Sequence, residues 1–153
     1  MIKKLSAWTL VLFWMGVIFN FSAQNAEESS SLSQGISKIL YNFLSSLQGV
    51  KIELSLFHNL LRQAAHFIVF LILAMLLINA FRINGLNFNR SALYTFILAV
   101  IYAALDEYHQ SFVPGRTAEL KDVFVDSLGI VSGLGLYRAI LFFFAYFSRQ
   151  TKI

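Results

Sequence analysis

The sequence contains no cysteine and one proline, and only 13% of its 153 residues are charged. Without cysteine the chain has no disulfide framework, no thiolate metal site and no thiol nucleophile. A soluble domain usually carries about 25% charged residues, so this scarcity of charge argues against a soluble protein. The sequence also has no basic run with interleaved aromatic residues, which makes nucleic acid a poor candidate for a partner.

Apolar residues, by contrast, make up 58% of the chain. They concentrate in four stretches that predict transmembrane helices, at about residues 5–23, 64–81, 92–108 and 123–147. A helix needs about 20 mainly apolar residues to cross a bilayer, and each stretch is long enough. We therefore predict an all-α membrane protein in which residues 1–153 form a single domain, a bundle of four transmembrane helices.

The first apolar stretch has a second interpretation, because a basic start followed by an apolar core is also the pattern of a cleaved signal peptide. Phe21 and Gln24 stand where a cleavage site needs small residues. The sequence therefore favours a first helix that is retained as a membrane span.

The placement of the basic residues predicts the orientation of the bundle in the membrane. Six of the 12 stand before the first span, between the second and third spans, and after the fourth span: Lys3, Lys4, Arg82, Arg90, Arg149 and Lys152. The basic count alone is close, because five others would then lie outside: Lys38, Lys51, Arg62, Arg116 and Lys121. Lysine and arginine are enriched in cytoplasmic loops, so both termini are expected in the cytoplasm. All 8 acidic residues then fall on the outer side of the membrane.

The segment between the first and second spans predicts one further element. Apolar residues such as Leu32, Ile36 and Leu40 recur there at helical spacing, opposite polar residues such as Ser37. We predict an amphipathic helix over residues 31–48 that lies along the outer leaflet or caps the bundle. A helix that binds a partner is the alternative.

Three spans each carry two polar residues, four positions apart, at the predicted outer end: Arg62 and His66, Asp106 and Gln110, and Asp122 and Asp126. A spacing of four places two side chains on the same face of a helix. The first span adds Ser22 and Gln24. Charged groups at membrane depth turn towards the bundle interior and pair there. Either ion pairs lock the helices together, with Arg62 or Arg116 against one of the three aspartates, or the residues form a functional polar pocket.

Two glycine-containing motifs predict local geometry. Pro114 and Gly115 suit the central positions of a type II turn, which would hold Arg116 in a defined place over the helix ends. Gly129 and Gly133 form a face of small residues in the fourth span that allows close approach of another helix.

The acidic residues among the polar set raise the question of a metal ion. Asp106, Glu107 and Asp122 are candidate ligands for a divalent cation, since Mg²⁺ and Ca²⁺ select carboxylate oxygens. Their spacing matches no specific ligand signature, so no metal is assigned. Arg62 and Arg116 would suit a phosphate or carboxylate group, on which a guanidinium makes two parallel hydrogen bonds.

Four segments together resemble the VanZ-like family of small bacterial membrane proteins. They are FSAQ (21–24), LLRQAAHFIVFLIL (60–73), DEYHQSFVPGR (106–116) and KDVFVDSLGIVSG (121–133). The resemblance covers nearly the whole chain in order. It implies a protein of the bacterial plasma membrane with a role in the cell envelope or in resistance to teicoplanin, a glycopeptide antibiotic with a lipid tail. In the family the position of Asp126 is often asparagine, which argues against a strict need for a fourth metal-ligating carboxylate.

Three functions follow from these observations. The first is a non-enzymatic protein whose outward polar pocket engages an anionic or amide-rich envelope component, such as a cell-wall lipid precursor or a lipoglycopeptide. The second is a metal-dependent hydrolase or transferase that acts on a lipid-linked phosphate. The third is a small transporter. The inner halves of the spans argue against a transporter, because they carry almost no polar residue apart from Arg138.

Overall fold

The computed structural model describes residues 1–24, 35, 54–116 and 118–150. Within these residues the chain forms no strand and has four long α-helices: α1 (Ile2–Ser22), α2 (Leu54–Ile83), α3 (Phe88–Gln110) and α4 (Leu120–Gln150). Each of the four is long and apolar enough to cross a membrane. The prediction of an all-α fold with four membrane-spanning helices is confirmed.

The predicted amphipathic helix over residues 31–48 lies outside the described residues, apart from Gly35. The structure gives this helix no support.

The connection between α2 and α3 is short and closed by local hydrogen bonds. Asn84 donates from its side chain to the carbonyl of Ala80 at 2.9 Å, and Gly85 follows with a φ of 101°, a conformation that favours glycine. Asn87 then caps α3, because its side-chain oxygen accepts from the backbone nitrogen of Arg90 at 3.0 Å. These contacts make α2 and α3 antiparallel neighbours.

Helix α2 occupies the centre of the fold, since it packs against each of the other three helices and most extensively against α4. Gly129 and Gly133 of α4 permit this close packing. A β-carbon at Gly129 would overlap the carbonyl oxygen of Phe67, and one at Gly133 would lie 2.5 Å from the carbonyl oxygen of Leu71. The predicted face of small residues is therefore confirmed, and its partner is the backbone of α2.

Two side-chain hydrogen bonds attach α1 to the rest of the bundle. Trp14 donates from its indole nitrogen to the carbonyl of Val69 on α2 at 2.9 Å. Tyr102 of α3 donates from its hydroxyl to the carbonyl of Met15 at 2.7 Å. In an apolar surrounding such groups need a partner, so these bonds position α1 along α2 and α3 as well as satisfying the two side chains.

The three pairs of polar residues spaced four positions apart all lie at one end of the bundle, where α1 and α3 end and α2 and α4 begin. We call this the polar end. Arg138 lies far from it, and its guanidinium sits 5.0 Å from the ring centre of Phe88 at the start of α3. This cation–π contact accounts for an arginine within an otherwise apolar helix.

Candidate functional site at the polar end

Two polar pairs join α2 to α4, an ion pair between Arg62 and Asp122 and a hydrogen bond between His66 and Asp126. Arg62 Nη2 lies 3.6 Å from Asp122 Oδ2, and His66 Nδ1 lies 3.2 Å from Asp126 Oδ1. The two aspartate side chains are only 5% and 1% exposed. Because both pairs connect residues four apart on each helix, they form a ladder between two parallel helices. This half of the polar set closes on itself, as the ion-pair alternative predicted.

Helix α3 brings three buried polar side chains to the same end. Gln110 donates from its side-chain nitrogen to Asp106 Oδ2 at 3.2 Å. Glu107 Oε1 accepts from the backbone nitrogen of Glu119, so Glu107 ties the end of α3 to the segment that leads into α4. Asp106 and Glu107 are adjacent in sequence but have different partners.

The turn between α3 and α4 has the predicted geometry. Gly115 has a φ of 78°, and Arg116 donates from its backbone nitrogen to the carbonyl of Val113 at 3.1 Å, which closes a type II turn with Pro114 at its second position. The guanidinium of Arg116 then donates from Nη2 to the carbonyl of Phe21 at 3.4 Å. The carbonyls at the end of a helix lack partners within it and carry partial negative charge, so a guanidinium is stabilised there.

The two arginines of the polar end lie close enough to influence each other. Burial lowers the pKa of Arg116, and the positive charge of Arg62 lowers this pKa further, whereas Asp106, Glu107 and Asp122 raise it. A guanidinium remains charged at neutral pH despite such a shift. The two guanidinium groups therefore lie near each other in a site that also contains the carboxylates of Asp106 and Asp122.

A pocket of about 350 Å³ lies between α1, α2 and α3 at the polar end. This volume falls in the range of small-ligand sites, about 300–1,000 Å³. Seven of the predicted site residues line it: Ser22, Gln24, Arg62, His66, Asp106, Gln110 and Arg116. Its deeper wall is apolar and includes Ile18, Val69 and Phe70.

The other predicted site residues do not line the pocket. Asp122 and Asp126 are buried on the side of α2 that faces α4, and Glu107 is buried against the chain before α4. Pro114 and Gly115 shape the turn that carries Arg116. Polar pairs between α2 and α4 and a pocket between α1, α2 and α3 are therefore both present, and Arg62 and His66 belong to both.

One wall of the pocket carries buried polar atoms that face each other. Ser22 is 3% exposed and Asp106 is 6% exposed. Ser22 lies near enough to Asp106 to interact with its carboxylate, yet neither Ser22 Oγ nor Asp106 Oδ1 has a hydrogen bond of good geometry among the described residues. Buried polar atoms nearly always have partners, so this wall is suited to a polar group of a ligand.

The candidate metal ligands are separated by their contacts. Asp106 faces the pocket, Glu107 binds the backbone of Glu119, and Asp122 pairs with Arg62. Over the part of the chain that the structure describes, no group of three or more histidine, aspartate or glutamate side chains is arranged to hold a metal ion. A divalent cation stays a prediction.

Several contributors to the site have no signal in the sequence. The carbonyl of Phe21 is a backbone group, and any residue at that position would present one to Arg116. His109 is partly buried because its ring stacks on Phe19 of α1, with ring centres 4.6 Å apart. The packing of α1 against α3 brings Phe21 to the pocket and places His109 against α1, beside the pocket and not in its lining. The periodicity of a single helix does not reveal that packing.

Comparison with known proteins adds the family. A family model described as VanZ/LLP1 matches residues 7–144, which include part or all of each described helix and every residue that lines the pocket. The match confirms the resemblance drawn from the four sequence segments. No curated protein and no solved structure shows significant similarity to the chain.

Proposed function

Since the chain belongs to the VanZ/LLP1 family, we propose that it is a multi-pass protein of the bacterial plasma membrane whose polar pocket binds an anionic component of the cell envelope. The observation that carries the proposal is a pocket of about 350 Å³ whose lining includes two arginines, Arg62 and Arg116. Both termini are in the cytoplasm, and the pocket faces outwards. The position of Lys3, Lys4, Arg82 and Arg90 at the end of the bundle opposite the pocket supports this orientation.

The side chains of the pocket favour a phosphate or carboxylate group. Arg62 keeps 53% of its side chain exposed although it pairs with Asp122, so its guanidinium remains accessible to a ligand. Arg116 approaches from the turn, on another side of the pocket. A planar guanidinium makes two parallel hydrogen bonds to such an anion, and two guanidiniums compensate its charge.

The neutral polar residues extend the recognition surface beyond the anion. Ser22, Gln24 and Gln110 line the same pocket and offer hydroxyl and amide groups. These groups suit the amide-rich parts of a cell-wall lipid precursor or of a lipoglycopeptide such as teicoplanin. A contribution to teicoplanin resistance would follow if the protein bound either molecule at the outer face of the membrane.

Binding by purified protein in nanodiscs of phosphatidylcholine tests the pocket. The probes are a polyprenyl phosphate and teicoplanin, and the variant is Arg116→Gln. Loss of a hydrogen-bonded charge costs about 1.5–3 kcal/mol, so we expect binding at least tenfold weaker. Arg138→Gln is the matched control, because it removes an arginine far from the pocket. If Arg116→Gln folds and binds both probes like the unchanged protein, the proposal is wrong.

A susceptibility assay tests the resistance role separately. Expression of the protein in a teicoplanin-susceptible bacterium should raise the inhibitory concentration of teicoplanin, and expression of Arg116→Gln at the same level should not. An unchanged inhibitory concentration with the unchanged protein would remove the resistance role while leaving ligand binding open to its own test.

A hydrolase or transferase that acts on a lipid-linked phosphate is the second candidate, and one observation favours it. Asp126 binds Nδ1 of His66 while the ring of His66 lines the pocket. A carboxylate on one ring nitrogen orients a histidine so that the other nitrogen can exchange protons with a substrate, the arrangement of many general bases. In hydrolysis His66 would take a proton from the attacking water and return it to the leaving oxygen as the phosphorus–oxygen bond breaks.

Product release from a polyprenyl diphosphate, measured with and without Mg²⁺, tests the enzyme. His66→Gln keeps a polar side chain but cannot titrate at neutral pH, so it should abolish turnover while lipid binding persists. Asp122→Asn should reduce turnover if Asp122 serves a metal ion. Complete absence of product under both conditions would eliminate this candidate. The transporter alternative gains no support. The core beyond the pocket includes apolar residues such as Leu73 and Ile78, and its buried polar residues Ser91 and Thr95 carry no charge.

A further inference from the structure

A second cavity, of about 230 Å³, lies deeper in the bundle between the same three helices. Its lining includes Met15 of α1, Leu73 and Leu77 of α2, and Leu98 and Leu105 of α3. The only hydroxyl in the lining belongs to Tyr102, and this hydroxyl donates to the carbonyl of Met15. We call this cavity the apolar groove.

The apolar groove begins about one helical turn below the polar pocket. On α1, Met15 of the groove lies one turn from Ile18 of the pocket. On α3, Tyr102 of the groove lies one turn from Asp106 of the pocket. Because the same relation holds on different helices, the two cavities lie in line along the bundle axis.

Tyr102 stands at the boundary between the two cavities. Its ring centre lies 6.2 Å from that of Phe70, which belongs to the wall of the polar pocket. Its hydroxyl is held at 2.7 Å by the carbonyl of Met15. Tyr102 therefore lines the groove and contacts the wall of the pocket.

The groove opens sideways, along the seam between α1 and α3. These two helices pack only lightly against each other. Leu12 on one side of the seam and Leu98, Ile101 and Leu105 on the other are all exposed, although they line the groove. In a bilayer, exposed leucine and isoleucine side chains at this depth contact lipid chains, so the groove is accessible from the membrane.

Along the seam, polar residues are followed by apolar residues, in the same order as the head group and hydrocarbon chain of a membrane lipid. Two arginines and several polar groups lie at the polar end, and leucines follow towards the middle of the bundle. A lipid in the adjacent leaflet has its charged head group at the interface and its hydrocarbon chain below. We propose that the anion bound in the polar pocket is the head group of a membrane lipid, with the lipid's hydrocarbon chain in the apolar groove. This inference rests on the proposed function.

The groove contributes mainly by selection and alignment. A chain that moves from the bilayer into the groove exchanges one apolar surrounding for another, so no large hydrophobic gain results. Van der Waals contact with the groove instead holds the chain, and through it the head group, in register with Arg62 and Arg116. A substitution that fills the groove should then weaken the binding of a lipid but not of a short-chain phosphate.

Leu98→Trp fills the groove with little strain, because Leu98 is 45% exposed. Ile97→Trp is the matched control, since Ile97 is the preceding residue of α3, is 44% exposed, and does not line the groove. The probes are a long-chain polyprenyl phosphate and geranyl phosphate, whose chain has two isoprene units. Both are measured in phosphatidylcholine nanodiscs with the two variants and with the unchanged protein.

We expect Leu98→Trp to bind the long-chain phosphate at least fivefold more weakly than Ile97→Trp, and geranyl phosphate equally well. The comparison between variants is decisive because a longer chain also enriches the probe in the nanodisc, and this enrichment is the same for both. Equal binding of the long-chain phosphate by the two variants would mean that bulk lipid occupies the groove, and it would overturn the inference. If Arg116→Gln still weakened both probes in that case, the polar pocket would stand without the groove. If neither probe bound to the unchanged protein, both proposals would fail for lipid phosphates.

Discussion

At the scale of single residues, Arg62 and His66 each serve two parts of the structure. Each pairs with an aspartate of α4 and also lines the pocket between α1, α2 and α3. The pairing orders both side chains, because a partner buried on α4 limits the positions that they can take. A pocket whose walls are already ordered pays less entropy when a ligand binds. The two polar pairs therefore order the wall of the pocket as well as joining the helices.

Substitutions of Asp126 should distinguish the hydrogen bond to His66 from the negative charge. Asp126→Asn keeps an oxygen that accepts from His66 Nδ1, so we expect little change in the free energy of unfolding. Asp126→Ala removes the acceptor and leaves a mostly buried imidazole nitrogen without it, at a cost of about 1–3 kcal/mol. Denaturant titration in detergent measures both variants. Equal destabilisation by the two substitutions would show that the charge is essential, contrary to this prediction.

At the scale of the helices, the close packing of α2 and α4 sets the register of the ladder. Gly129 and Gly133 contact the backbone of α2 at Phe67 and Leu71. The two polar pairs lie farther towards the polar end on the same two helices. Since the helices are parallel and close, a shift of either along its axis would break both pairs together.

The glycine contacts give a prediction with an internal control. Gly129→Ala places a methyl group against the backbone of Phe67 and should force the helices apart, at a cost of about 1–3 kcal/mol or more. Gly135→Ala lies on the same helix with open space around it, so it should be neutral or should stabilise α4 by up to about 1 kcal/mol. Thermal unfolding in detergent compares the two variants. Similar melting temperatures would contradict the assigned packing.

The turn before α4 gives a prediction about binding. Gly115 has a positive φ, which costs an alanine about 1–2 kcal/mol, so Gly115→Ala should displace Arg116 and weaken binding of polyprenyl phosphate. Gly115→Asn should retain most of the binding, because asparagine tolerates this conformation. The nanodisc assay for Arg116→Gln serves here too. Full binding by Gly115→Ala would show that the turn does not position the arginine.

The sequence predicted the helices better than it predicted their contacts. Apolar stretches are local signals, and each of the four produced a helix. The pairing of Arg62 with Asp122, by contrast, was one of several combinations that the sequence left open. The choice depends on the parallel approach of α2 and α4, which the glycines of α4 permit. The sequence predicted this close approach but did not indicate which helix packs against the glycines. The bond from Arg116 to the carbonyl of Phe21 had no sequence signal.

At the scale of the whole molecule, one helix interface of the bundle is tightly packed and another is loosely packed. Helices α2 and α4 are joined by two polar side-chain pairs and by close backbone contact at two glycines. Helix α1 is held to α2 and α3 by a few side-chain hydrogen bonds and packs lightly against α3. The pocket and the apolar groove both lie on the loose side. This asymmetry lets α1 or Tyr102 adjust to a ligand without disturbing the ladder that orders the pocket wall.

The proposed function requires the polar end to face the outside of the cell, and the chain is well suited to test this because it contains no cysteine. A single cysteine at Ala118, which is exposed beside the polar end, should react with a membrane-impermeant maleimide in intact cells. A single cysteine at Asn89, exposed at the start of α3, should react only after the membrane is permeabilised. The opposite pattern would place the pocket in the cytoplasm. A lipid or glycopeptide of the outer face could not then be the ligand, whereas a phosphate of the inner leaflet could still bind.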